Sequence, residues 1–348
     1  MKILIITVLF TLISISSISQ DRAMWATIWS SSTPEKINNI INNAHKYKFN
    51  KIFLQVRYRG DALYFPNLTD STYTNNEERC YILNQSNFDP LKYAIYKAKS
   101  KNIEIHAWVP IFVVTPHDLS KINSKHVYYK HKDWLTYNQQ GKAMAYNSHE
   151  GAFLDPGVPA VQKYTLDILQ DIASNYDVDG IQMDYIRYPD SLYGYNPMAI
   201  KNFEKSSYND FEKWKQSQIN SFVNKAFIML KNINPNLQLS AAVFGNQHKA
   251  INRFSQNWKQ WISDNYIDKV YVMAYSTSED SFKTVLQDIK EVNKEKTTIV
   301  LRAWIDNGKY SVHQINKKIS ISKKMGFYNL GFYSYSGLIK NNYLPHLH

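Results

Sequence analysis

The chain has 348 residues, one cysteine and a formal net charge of +12. A lone cysteine closes no internal disulfide and builds no cysteine metal cluster, which excludes a disulfide scaffold and a zinc ribbon. The charge is spread as lysines along the chain rather than gathered in a tail or stripe, and no recognised nucleic-acid motif accompanies it, so an anionic glycan or cell-wall material is the expected acidic partner and nucleic acid is not.

Lys2, the apolar run 3–15 and the small residues Ser17-Ile18-Ser19 read as a secretory signal covering residues 1–19, with the mature chain starting near Gln20. No cysteine follows the run, which argues against a lipid anchor, and no later segment is apolar for long enough to span a bilayer; an uncleaved anchor is the alternative. The expectation is a soluble protein, secreted or periplasmic, of unspecified oligomeric state. The remaining roughly 330 residues suit one barrel domain, residues 20–348, with enlarged loops.

Short apolar runs then alternate with helix-period segments. The runs predict strands at 23–29, 51–57, 103–109, 180–184, 237–244, 269–275, 298–304 and 329–333. Thr33-Pro34 and Asn196-Pro197 are helix starts, and Phe211, Trp214, Phe222, Ala226, Met229 and Ile233 share one face of a long helix. Eight strand-helix repeats imply parallel strands closing into an α/β (β/α)8 TIM barrel. The rival doubly wound sheet calls for a glycine-rich turn after the first strand, where Trp29-Ser30-Ser31-Ser32 stands instead. The longest connections follow strands 2, 3 and 4, on the face where barrel enzymes place their sites.

Alternation along a barrel strand sorts the side chains. Ile181 and Met183 face the helices, which turns Gln182 and Asp184 inward; the same test turns Gln55 and Arg57, then Glu104, His106 and Trp108, then Arg302, Trp304 and Asp306 inward. Unpartnered burial of so many polar groups costs several kcal/mol. They therefore neutralise one another, as Arg57, Asp184 and Arg302 could, or line a site for a polar ligand at the mouth. Tyrosines crowd the same connections, among them Tyr64, Tyr185 and Tyr188, and flat rings beside charged groups suit a sugar.

The segments FLQVRYRGDALYFP (53–66), EIHAWV (104–109), FLDPGVPAVQKY (153–164), NYDVDGIQMDYIRYP (175–189) and DKVYVMAYS (268–276) resemble, in order, blocks of the bacterial glycosyl-hydrolase-like 10 family. The resemblance implies a barrel acting on bacterial or other polysaccharide. A more distant similarity to barrel glycosidases with an aspartate nucleophile ending the fourth strand would carry that role to Asp184.

Glycoside hydrolysis normally uses two carboxyl groups. Asp184 is the expected ionised one, its pKa kept low by Arg187, Arg57 or Arg302. Asp61 in RGDALY, Glu279 after the sixth strand and Asp306 on the seventh are candidates for the acid. Gln55, Arg57, Tyr64, His106, Trp108, Asp155, Gln182, Arg187, Tyr188, Tyr275, Arg302 and Trp304 are the expected substrate contacts, with Asp155 read also as a helix-entry turn. No metal or cofactor is expected, since His106 has no second histidine at ligand spacing. Two other readings stay open: a non-catalytic carbohydrate-binding barrel, if no second acid faces Asp184, and a metal-dependent carbohydrate esterase or deacetylase, if His106 and Asp184 share an ion.

Overall fold

The computed structural model describes residues 20–68, 75–83, 87–304 and 310–348. The barrel strands are β1 (Arg22–Ala26), β2 (Lys51–Gln55), β3 (Glu104–Pro110), β4 (Gly180–Asp184), β5 (Gln238–Phe244), β6 (Lys269–Met273), β7 (Thr297–Arg302) and β8 (Leu330–Tyr333). All neighbours pair in parallel, and β1 closes the ring by pairing with both β2 and β8. This is a TIM barrel.

Helix starts follow local chemistry. The Thr33 side chain accepts from the Lys36 N–H ahead of Pro34–Lys46, Asp89 does so for Pro90–Lys99, and Asn196 for Pro197–Glu204. The long amphipathic segment is a helix over Phe211–Ile233, capped by Asp210. Ile52, Leu54, Ile105, Ala107, Ile181 and Met183 are buried in the layer between strands and helices. Each of the larger ones contributes about 1.5–3 kcal/mol by leaving water.

Four strands end earlier than the sequence suggests, β6 at Met273 rather than 275 and β7 at Arg302 rather than 304. β1 stops at Ala26 because a short helix, Ile28–Ser31, begins at once. β2 stops at Gln55 because Arg57–Tyr58 leaves the barrel and pairs antiparallel with Asp61–Ala62. That reversal passes through Arg59 at φ 54° and Gly60 at φ 92°, the left-handed region where glycine is unstrained.

Inside, the barrel is filled in tiers. At the N-terminal end Asp21 lies 2.7 Å from Lys269 and 3.4 Å from Lys51, while Lys51 also reaches Glu104 at 3.0 Å. His106 joins this floor: its Nε2 is 2.9 Å from Glu104, and its ring lies beside Phe53. Burial, then the Lys51 charge, bring the imidazole down to about 4, so it is neutral at ordinary pH. A Cβ on Gly180 would meet His106 Nδ1 at 2.3 Å, so glycine is required where the ring crosses β4. Above the floor an aromatic plug forms, with Trp25 stacked on Phe53 at 4.5 Å and Tyr271 edge-on to Phe53 at 4.6 Å. Among the described residues no helix is long and apolar enough to cross a membrane.

Burial pushes the Asp21 carboxyl up, but Lys51 and Lys269 override it and hold it at about 2 against an ordinary 3.8. The folded pKa is the lower one, so this stabilisation, about 2 kcal/mol, is present above pH 4 and lost as pH falls towards 2. Asp21→Asn strips Lys269 of its carboxylate. The expected loss at neutral pH is about 3 kcal/mol by urea unfolding, with the gap to wild type closing between pH 4 and 2.

Candidate active site at the C-terminal mouth

β4 ends on Asp184, and the backbone turns there. Tyr185 takes φ 51°, an uncommon conformation for an aromatic residue. The turn aims the Tyr185 N–H back at Asp184 Oδ1, 2.7 Å away, while the Trp108 indole N–H donates to Oδ2 at 3.0 Å. The Asp184 carbonyl in turn accepts from the Ile111 N–H at 2.8 Å. The residue is thus held by three contacts, two on its carboxyl and one on its backbone carbonyl. Burial raises its pKa above the usual aspartate value, and the two N–H donors, then Arg187 and Arg59, offset this in part.

Asp184 opens into a cavity of about 250 Å³, walled by Trp25, Trp108, Tyr185, Tyr275 and Tyr333 and reached by Glu150 and Arg187. Glu150 and Asp184 are the two carboxylates among its described lining residues. The segment carrying Glu150 returns antiparallel to the chain leaving β3: Phe153 bridges to Val113, and the Ala152 N–H donates to Thr115 Oγ1 at 2.6 Å. Gly151, at φ 128°, makes this possible, since a Cβ there would lie 2.2 Å from the Thr115 carbonyl oxygen. Arg187 Nη2 lies 3.6 Å from Glu150. The Arg187 guanidinium is boxed by Phe153, Tyr185, Phe244 and Phe254 at 5.0–5.6 Å from each ring.

Residues 15–325 match the glycosyl hydrolase-like 10 family. The chain belongs to that family. It is 23% identical over 215 residues to glycosyl hydrolase YngK of Bacillus subtilis, an alignment covering 59% of this chain and 39% of that protein. Over 222 residues it is 23% identical to glycosyl hydrolase DigH of Escherichia coli, covering 59% and 46%. The aligned part is thus less than half the length of either relative. Among solved structures, the PgaB (BpsB) glycoside hydrolase domain from Bordetella bronchiseptica superposes with a TM-score of 0.72 at 12% identity, covering 94% of this chain and 97% of that one. The catalytic domain of β-amylase from Paenibacillus polymyxa gives 0.60 at 10% identity, covering 92% and 94%. At such identities the likeness is one of fold.

In this glycosyl hydrolase-like 10 chain the expected contacts Trp108, Arg187 and Tyr275 line the mouth cavity together with Asp184, and others stand behind it. Trp304 packs edge-on against Tyr275 at 5.2 Å, and the Arg302 guanidinium lies over Trp304 at 4.3 Å. Gln182 sits one tier lower, accepting from the Trp25 indole at 2.7 Å. Gln55 braces the backbone, accepting from the Ile28 N–H and donating to the Arg57 carbonyl. Asp155 is buried as a turn brace, with bonds from Gly157 N–H and Thr136 Oγ1. Tyr64 and Tyr188 are fully buried, Tyr64 with its hydroxyl on Asn75.

Several expectations need correction. His106 faces inward but belongs to the floor: it pairs with Gly180 while Asp184 pairs with Pro110. Four residues of strand rise, about 13 Å, therefore separate them, and they cannot share an ion. Among the described residues no group of three histidine, cysteine or acidic side chains is arranged to hold a metal. Arg57 does not attend Asp184. It is fully buried against Glu77 at 2.6 Å and donates to the Pro110 and Ile111 carbonyls. Glu279 opens the helix Glu279–Asp288 and pairs with Lys317 at 2.7 Å, away from the cavity. Asp61 lines a neighbouring cavity, and Asp306 falls outside the described residues.

Glu150, which lines the cavity, and Glu77, buried outside it against Arg57, are the carboxylates that sequence reasoning missed. Glu77 bonds Arg57 through both oxygens and accepts from the Tyr164 hydroxyl. Through Arg57 it holds the end of β3, the backbone that contacts Asp184. Burial, then the Glu77 charge, push the Asp61 carboxyl up to about 8. Glu77→Gln leaves Arg57 buried without a counter-charge, an expected cost of about 3–5 kcal/mol in urea unfolding. The same change removes a negative charge near Asp61, whose titration, followed by carboxyl NMR, should move down from about 8.

Proposed function

We propose that the barrel hydrolyses glycosidic bonds of a polysaccharide, cell-wall or other anionic glycan, in the cavity over Asp184. The observation that carries this reading is one fixed, half-buried carboxyl, Asp184, opening into the same aromatic-walled cavity as a second carboxylate, Glu150. Aromatic walls suit the C–H faces of sugars, and the carboxylates and Arg187 suit their hydroxyls. The relatives named glycosyl hydrolases support the same chemistry.

The environments divide the two roles. Burial lets Asp184 keep a proton to a higher pH than an ordinary aspartate, which fits the general acid that protonates the leaving oxygen. Glu150, beside the Arg187 guanidinium, is the partner that acts as base or nucleophile. This reverses the role expected for Asp184 from sequence, because desolvation outweighs the charges near it. Residues 20–348 act as one catalytic unit, with enlarged connections after β2, β3 and β4 as its walls. The signal-like residues 1–19 support export, which places the substrate outside the cytoplasm.

The test is release of reducing ends from purified bacterial cell-wall glycan strands and a panel of other polysaccharides. Asp184→Asn and Glu150→Gln should each lower cleavage at least about 10²-fold while the thermal midpoint holds. Because Asp184 works protonated, kcat/KM should fall as pH rises through its raised pKa. Arg187→Met removes a cation that lowers that pKa, so the falling limb should move to higher pH. Unchanged cleavage by Asp184→Asn would sink the assignment, and retained glycan binding with no cleavage by wild type would favour a binding barrel.

A further inference from the structure

A second feature adjoins the mouth. Trp29, on the short helix after β1, is 52% exposed, high for so large an apolar ring. Its ring lies 6.0 Å from Tyr58, on the hairpin after β2, and 6.4 Å from Tyr81. Tyr81 borders a polar cavity of about 360 Å³ that also takes in Asp61, Ser120, Lys121 and Asn123. The Lys121 ammonium stands 5.7 Å from the Tyr81 ring.

Arg59 connects this patch to the Asp184 cavity. Its guanidinium lies 5.8 Å from the Tyr58 ring and 5.6 Å from the ring of Tyr185, which walls that cavity. Arg59 Nη1 is buried with no hydrogen-bond partner among the described residues. Rings and polar groups thus run without interruption from Tyr185 through Arg59 and Tyr58 to Trp29, Tyr81 and the Asp61 cavity. Rings present stacking faces, while Arg59, Ser120, Lys121 and Asn123 present donors.

We propose that this strip is a distal binding site for the non-reacting end of the same polysaccharide chain whose bond lies over Asp184, so that the protein takes extended chains rather than short sugars. The inference rests on the glycan reading of the mouth. Continuity with the Asp184 cavity selects the occupant: a chain held over Asp184 and leaving past Tyr185 meets Arg59 next. At neutral pH a carboxyl raised to about 8 makes Asp61 an uncharged donor at the far end, which avoids repelling an acidic sugar.

The test is affinity electrophoresis of the full protein through gels holding soluble polysaccharides (glycol chitin, polygalacturonate, carboxymethyl cellulose), then titration with oligomers of two to eight sugars of whichever retards it. Trp29→Ala, at an exposed position, should leave the thermal midpoint and dimer affinity unchanged. Octamer affinity should weaken roughly threefold to tenfold, the range of one lost ring contact. Lys121→Ala should show the same length dependence. Equal octamer affinities for wild type and Trp29→Ala, or equal losses for dimer and octamer, would overturn the strip while leaving the mouth reading intact. No retardation of wild type by any polysaccharide would overturn both.

Discussion

Closing eight parallel strands into a ring leaves a polar side chain two places to meet water or a partner, the two ends of the barrel. Between the ends, apolar or paired groups are favoured. The two ends meet this constraint in opposite ways. At the floor, Asp21, Lys51, Lys269, Glu104 and His106 pair with one another. At the mouth, Asp184 is given donors on both oxygens yet remains open to a cavity. The aromatic tier of Trp25, Phe53 and Tyr271 separates the two groups.

The mouth is rigid for reasons that lie outside it. Arg57 leaves the barrel with the hairpin and is bound by Glu77, and through the carbonyls of Pro110 and Ile111 it holds the chain that leaves β3. Ile111 holds the Asp184 backbone, and Trp108 of the same strand holds its carboxyl. A buried pair of this kind gains little net energy against an apolar replacement. Its value here is positional, since four segments distant in sequence meet around one carboxyl.

The barrel was legible because alternation and strand-helix spacing are local: Ile181 and Met183 turn outward, so Gln182 and Asp184 turn inward whatever the rest of the chain does. Depth was not legible in the same way. His106 and Asp184 pass the same parity test, but pairing of His106 with Gly180 puts it at the floor, and register between strands is not written in either one. Arg57 was misplaced because the strand ends two residues earlier than its apolar pattern. Glu150 and Glu77 lie on irregular connections with no period to read. The available hints were Gly151, whose backbone needs glycine, beside Glu150, and the block of residues 153–164 just after it. Which charges pair across such loops follows only from the folded path.

The cage around Arg187 has a further consequence. Four aromatic rings surround the guanidinium, and the residue is 5% exposed. Dissolved ions screen charges that they can approach, over about 8 Å at physiological ionic strength, and the rings limit their approach to Arg187. Lys121, 47% exposed at the outer cavity, has no such shelter. The Arg187 charge beside Asp184 is therefore screened less by salt than the charges at the outer rim, where attraction weakens as the salinity of the medium rises.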